Sequence, residues 1–407
     1  MDFGLSSNQQ PDELSQHAAV QEGRQWLRAQ APAISRLQVC FAELPSPDLR
    51  AEPRAVLFQQ CLVESHLADI HRDSVGNVRG TLTGSEPSLP SIVLSAHLDS
   101  VFPHLQSIDV VQEGSIYRAP GIADDAAGLA GIVFLVRALQ KVGLQLQRSV
   151  VVVATVGEEG EGDLAGIKHL FESVWEPQAV AAFLTLDLGS QRHAAHAALG
   201  SRRFEVRVSG PGGHSWGDFG RPNPIHALSR GVALFLQGRT AMDEVGSWNI
   251  GSIEGGRGVN AIPESAALRV DLRSRQQQGL MELETAFRRC MSQGIEAEQA
   301  ASKPAAGSLE LELHSIGDRP TGETPLDSSL VQICAAAFDT CDLPLEFTRS
   351  STDANVPMSL EVPALALPHG VCAYNAHSEL EWCDVSGRED VLEAELLALL
   401  ALAGVQA

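Results

Sequence analysis

The sequence predicts an α/β protein: a mixed sheet with helices on both faces, interrupted by a smaller, ferredoxin-like βαββαβ unit. Three observations predict it. Runs at residues 91–96, 149–156 and 181–186 are apolar on both faces, as covered central strands are, and they alternate with stretches of helical periodicity. Near Gly200 the pattern changes to strands of alternating polarity in the order strand, helix, strand, strand, helix, strand. Clusters of acids and histidine follow the apolar runs, where ligands of open α/β sheets collect.

Taken in order, the first dozen residues, rich in Ser, Gln and Pro, are expected to be disordered, and residues 13–29 carry apolar side chains at helical spacing. A helix over 51–67 precedes strands at 73–81 and 91–96. A helix over 126–142, a strand at 149–156, a helix over 164–173 and a strand at 181–186 continue the alternation. The second unit reads as strand 202–209, helix 224–236, strands 247–254 and 266–273, helix 276–291 and strand 309–315. The α/β pattern resumes with helix 326–338, strands 345–348 and 364–367, and a closing helix over 385–402. With 407 residues, more than one core usually holds, the expected organisation is a main domain in residues 1–199 and 317–407 and an inserted domain in residues 200–316.

The apolar fraction of 44% is ample for packed cores, and the formal charge of −22, spread along the chain, disfavours nucleic acid and anionic membranes as partners. Seven scattered cysteines with no C-x-x-C pair fit unpaired thiols in a reducing compartment. The first residues lack the basic and apolar segments of a signal peptide, and no run approaches about eighteen apolar residues, so a cytoplasmic protein is expected.

The clusters read Ser95-Ala96-His97-Leu98-Asp99, Gly121-Ile122-Ala123-Asp124-Asp125, Gly157-Glu158-Glu159-Gly160, Leu186-Asp187 and Asn375-Ala376-His377-Ser378-Glu379. Carboxylates so concentrated repel one another, and the neighbouring sequence offers almost no lysine or arginine to neutralise them. Divalent metal is the simplest remedy. His97 and Asp99, two apart at a strand end, project together, and the carboxylate there can fix the ring. Asp124 and Asp125 precede an Ala- and Gly-rich helix start, which favours anionic groups; helix capping is the plain alternative for one of the two, but not for both beside His97. Taken singly, a His–Asp pair can be a plain hydrogen bond and two adjacent glutamates a solvated loop. Together, two histidines and three carboxylates provide for two cations, one carboxylate bridging them, with a further carboxylate to accept a proton from water.

In this order the five motifs resemble the co-catalytic metallopeptidases related to peptidase T, carboxypeptidase G, aminoacylase and succinyl-diaminopimelate desuccinylase, over residues 51–402. The resemblance implies a zinc-peptidase catalytic domain with two ions, zinc first and manganese or cobalt as alternatives. It implies His97, Asp124 and Asp187 on one metal and Asp124, Glu159 and His377 on the other, with Asp124 the bridge. Glu158 resembles the general base that activates the metal-bridging water, and Asp99 the carboxylate that orients His97. The peptide bond after the bridging aspartate is cis in the family. The run Asp124-Asp125-Ala126-Ala127-Gly128 departs from the frequent Asp-x-Lys-Gly, and Asp187, where acylases and carboxypeptidases tend to have Glu, tilts the reading toward aminopeptidases and dipeptidases.

The inserted domain is implied to be a lid and dimerisation domain. Its Gly210-Pro211-Gly212-Gly213-His214-Ser215 resembles the segment whose histidine stabilises the oxyanion, often in the partner subunit's site. Asn260 and Arg273 match substrate-binding positions, although Arg273 can instead form a strand-end ion pair. Asp353 is implied to line the cleft and support the shell around His377. The implied reaction is hydrolysis of an amide bond in a small peptide. An N-acyl-amino-acid amidohydrolase or carboxypeptidase is the alternative, a non-catalytic metal-binding protein a remote one, and a homodimer through the inserted domain is compatible with the family.

Overall fold

A computed structural model describes residues 10–46, 50–237, 239 and 245–406. Contacts divide the chain into two units, residues 1–198 with 322–407 and residues 199–321.

The first unit is built on a nine-stranded mixed sheet. Its centre is four neighbouring parallel strands: Val150–Thr155, Ser91–His97, Val180–Leu188 and Ala364–Pro368. Alternate residues face opposite layers, so Ile92, Leu94, Val150, Val152, Leu184 and Leu365 enter one core while Val93, Val153, Phe183 and Ala364 enter another. Helices Ala126–Val142 and Arg388–Ala403 cover the first face, and Ala165–Ser173 with Asn355–Ser359 cover the second. The expectation of helices on both faces therefore holds. Because the four central strands run the same way, their carboxyl ends emerge along one rim.

The second unit is a four-stranded antiparallel sheet in the order Ser247–Gly255, Ser265–Ser274, Gly200–Ser209, Glu310–Arg319. Helices Pro224–Leu236 and Gln277–Ala301 join its strands in the βαββαβ order, and Phe204, Val206, Leu268, Val270, Phe287 and Met291 form a core separate from those of the first unit.

Several expectations are corrected. The stretch expected to be disordered contains the start of a helix, Pro11–Gln16, while residues 1–9 lie outside the described residues. A further helix, Ala31–Glu43, follows Ala18–Ala29 after a break at Gln30 and has Pro32 in its first turn, where a missing N–H costs nothing. The expected strand at 73–81 is the turn and second arm of a hairpin, Ala68–Arg72 with Val78–Leu82. Asp73 reverses the chain there by accepting the N–H groups of Val75, Gly76 and Asn77. The helix expected over 276–291 runs on to Ala301. His193–Ala198 and a small sheet of Val111–Glu113, Ile116–Arg118, Cys372–Tyr374 and Trp382–Asp384 were not anticipated.

Candidate metal centre

The rim gathers the motifs of the first unit. His97 ends the strand Ser91–His97, Glu158 and Glu159 follow Val150–Thr155, and Asp187 lies near the end of Val180–Leu188, so three adjacent parallel strands deliver one group each. Asp124 arrives on the turn before helix Ala126–Val142 and His377 on the loop after Cys372–Tyr374.

Asp124 is the meeting point. Its Oδ1 lies 2.8 Å from His97 Nε2 and its Oδ2 lies 3.0 Å from His377 Nε2. Asp187 Oδ1 is 3.6 Å from the same His97 nitrogen, and Glu159 Oε1 is 3.0 Å from the same His377 nitrogen. Two donor triads share Asp124, His97 with Asp124 and Asp187 and Asp124 with Glu159 and His377, and a third combines His97 with Glu158 and Glu159, the ligand atoms of each within 4.8 Å of one another. The peptide bond between Asp124 and Asp125 is cis.

Asp125 is the helix cap: its Oδ1 accepts the N–H of Gly128 and its Oδ2 the backbone N–H of His97. Gly128 is required there, since an added Cβ would sit 2.2 Å from both Asp125 Oδ1 and the Leu186 carbonyl. One aspartate of the pair thus ties helix to strand while the other faces the histidines.

Asp99 does something the sequence reading did not assign. Its two oxygens accept the backbone N–H groups of Glu158 (3.1 Å) and Glu159 (2.9 Å). Its carboxylate is 3.8 Å from His97 Nδ1, which lies closer, at 3.2 Å, to the Asp99 backbone carbonyl. The ring of His97 is therefore oriented by the main chain of Asp99, and the carboxylate clamps the Glu158–Glu159 turn, which Gly157 enters at a φ of 69°.

Electrostatics follow from the crowding. Hydrogen bonds to Asp124 and Glu159 push the His377 ring up to about 11. Burial works against a charged His97, yet Asp124 and Asp187 outweigh it and hold that ring well above its ordinary value. Burial would likewise raise Asp124, but the two imidazoles hold it below the usual carboxylate range. The imidazole and carboxylate donors, with no thiolate among them, suit zinc, manganese or cobalt. The donor set fits divalent metal.

Two residues were missed. Glu381 accepts the N–H groups of Gly121, Ala123 and Asp124 at 2.9, 2.9 and 3.2 Å, gripping the Asp124 turn from the His377 loop; burial pushes its carboxyl up to about 7. Arg54, fully buried on helix Glu52–Glu64, donates to the carbonyl of Leu98 between His97 and Asp99, so the expectation of almost no nearby cation is corrected. Its signal was present in the sequence: residues 54, 58, 61 and 62 form one helical stripe, and the first is an arginine among apolar side chains. Glu381 offered no such signal, being one of two acids in a polar loop. Asp353 bonds the hydroxyl of Thr155 beneath the Glu158 turn rather than the shell of His377, and burial pushes it up to about 7.

The remaining expected residues lie in the second unit. His214 and Asn260 come together: Gly213–His214 pairs with Ala261–Ile262, and Ser215 N–H donates to the Asn260 carbonyl at 2.9 Å. His214 Nδ1 accepts the N–H groups of Trp216 and Gly217 at 3.1 and 3.2 Å, which leaves its ring proton on Nε2. Arg273 is in the strand Ser265–Ser274, where its Nε donates to Asp271 Oδ2 at 2.8 Å; the strand-end ion pair weighed in the sequence is present.

Comparison with known proteins gives the family and the fold. Residues 93–403 match the model of peptidase family M20/M25/M40. The chain is 29% identical to a probable carboxypeptidase of Neosartorya fischeri over 213 residues, 47% of each chain, and so spans about half the length of the relatives it matches in sequence. It shares its fold with a tripeptidase from Staphylococcus aureus (TM-score 0.76, 16% identity, 92% of this chain and 98% of that one). It shares it also with the aminopeptidase PepT from Bacillus cereus (TM-score 0.72, 17% identity, 93% and 99%). No helix among the described residues is long and apolar enough to cross a membrane.

Proposed function

Because this chain belongs to peptidase family M20/M25/M40, we propose that it is a metal-dependent hydrolase that cleaves the amide bond of small peptides at two divalent ions, zinc first among them. The observation that carries this reading is Asp124, whose two oxygens each face a different imidazole Nε2. His97, Asp124 and Asp187 would hold one ion and Asp124, Glu159 and His377 the other. Bound there, the ions supply Lewis acidity, polarising the scissile carbonyl and acidifying water.

The rest belongs to the chain's own groups. The Glu158 carboxylate, its backbone held by Asp99, takes the proton of the attacking water and passes it to the leaving amine. His214, with its proton on Nε2, has the tautomer needed to donate a hydrogen bond to the oxyanion, its own site's or the partner subunit's. Asn260, beside His214, and Arg273 bind the substrate, Arg273 exchanging Asp271 for a substrate carboxylate. The exposed edge strand Ser247–Gly255 supports a homodimer through the inserted domain, and seven cysteines without a disulfide support a cytoplasmic site.

Asp187 and the fold shared with a tripeptidase and an aminopeptidase favour peptides with an open amine, while the probable carboxypeptidase favours the second reading, a carboxypeptidase or N-acyl-amino-acid amidohydrolase. Assay of metal-loaded enzyme on dipeptides, tripeptides and N-acetylated amino acids separates them, with cleavage of open-amine peptides expected. In the same assay Glu158→Gln is expected to keep its metal and lose about 10²–10⁴ in kcat. Full activity in that variant contradicts the base assignment.

A further inference from the structure

Arg54 stands outside the mechanism, yet it is a fully buried guanidinium behind the acidic rim. Its Nη1 donates to the Leu98 carbonyl and its Nε to that of Leu44, both at 3.2 Å. Its Nη2 has no hydrogen-bond partner among the described residues and lies 3.2 Å from where a Cβ on Gly121 would be. Gly121 opens the Asp124 turn, and its N–H is held by Glu381. Arg54 thus bonds the segment 97–99 and lies beside the segment 121–124, two of the five that carry candidate ligands. The charges acting on it are Asp99, Asp125, Asp124 and Glu381. A guanidinium with an unpaired N–H group is a costly thing to bury unless its charge is needed.

We propose that Arg54 is the resident cation of the carboxylate cluster, a positioning residue that holds the site together before metal arrives and weakens the hold on metal afterwards. This rests on the reading of the rim as a metal centre. Without metal, Asp99, Asp124, Asp125 and Glu381 all act on the Arg54 guanidinium, and its charge offsets their mutual repulsion. With metal, the same charge repels the incoming ions through a low-dielectric interior. The two effects have opposite consequences for stability without metal and for affinity, which a purely structural role does not produce.

The test is zinc affinity by chelator competition, together with thermal unfolding of metal-stripped and zinc-loaded protein, for wild type, Arg54→Met and Arg54→Lys. Arg54→Met keeps much of the volume and removes the charge. Its metal-stripped form is expected to melt lower than wild type while its zinc Kd tightens on the order of tenfold. Arg54→Lys keeps the charge and is expected within about twofold of the wild-type Kd. Arg54→Met that folds only with zinc also supports the proposal. A zinc Kd unchanged or weaker in Arg54→Met, tightening in Arg54→Lys equal to that in Arg54→Met, or an Arg54→Met that zinc cannot rescue overturns it. Should wild type bind no zinc, the metal-centre reading itself fails, a result distinct from any of these.

Discussion

Four carboxylates with similar surroundings do different work because their oxygens have different partners. Asp124 spends both oxygens on imidazole nitrogens, Asp125 both on backbone N–H groups of two elements, and Asp99 both on the Glu158–Glu159 turn. Glu381 grips three N–H groups of the Asp124 turn. These geometric assignments separate the groups that can meet a metal from those that aim them. Asp99→Asn puts an amide where one backbone N–H needs an acceptor, so kcat is expected to fall about 10–100-fold while metal content stays that of wild type. Loss of metal would instead place Asp99 among the ligands or their immediate support. The motifs around His97, Asp124, Glu158 and His377 were legible in the sequence because local spacing reports a strand end or a helix start. The clamping role of Asp99 was not, since it depends on which neighbouring strand lies beside it, and that is set by the sheet order.

At the scale of elements, the parallel centre of the sheet converts sequence-distant motifs into one rim, and the apolar runs that form it were the clearest signals in the chain. Helix starts and ends were less legible: a proline at residue 32 begins a helix rather than breaking one, and Asp73 turns an expected strand into a hairpin. The helix Arg388–Ala403 is buried from Val391 to its end and carries Glu395, whose two oxygens have no hydrogen-bond partner among the described residues. Burial pushes that carboxyl well above its ordinary range. The folded chain keeps a proton that the unfolded chain releases above about pH 4.3, so the stability this provides is full below that pH and is lost as pH rises toward the folded value. Glu395→Leu is therefore expected to stabilise the protein by about 1–3 kcal/mol at pH 8 and by less at pH 5, read from urea unfolding at the two values. An equal gain at both, or a loss at pH 8, would show that Glu395 is satisfied in a way its surroundings do not reveal.

For the whole molecule, one unit holds the donor triads and the other holds His214, Asn260 and Arg273, so the proposed function assigns cation binding to the first and substrate binding to the second. The βαββαβ order of the second unit was legible because its strands alternate in polarity where those of the first are apolar throughout. The pairing of His214 with the strand after Asn260 was not, because no local pattern says which segment a loop meets. His214→Ala is expected to leave the metal content at the wild-type value and lower kcat about 10²–10³-fold, with the fall in kcat/KM at least as large. An unchanged kcat would remove His214 from the reaction. All of this turns on one carboxylate shared between two cation sites. Metal counting by mass spectrometry on chelator-stripped, zinc-reloaded and desalted protein tests that directly. The account predicts about two ions per wild-type chain and neither held tightly in Asp124→Ala, because both triads that share Asp124 lose a ligand. One ion or none in the wild type, or two retained by Asp124→Ala, would contradict it.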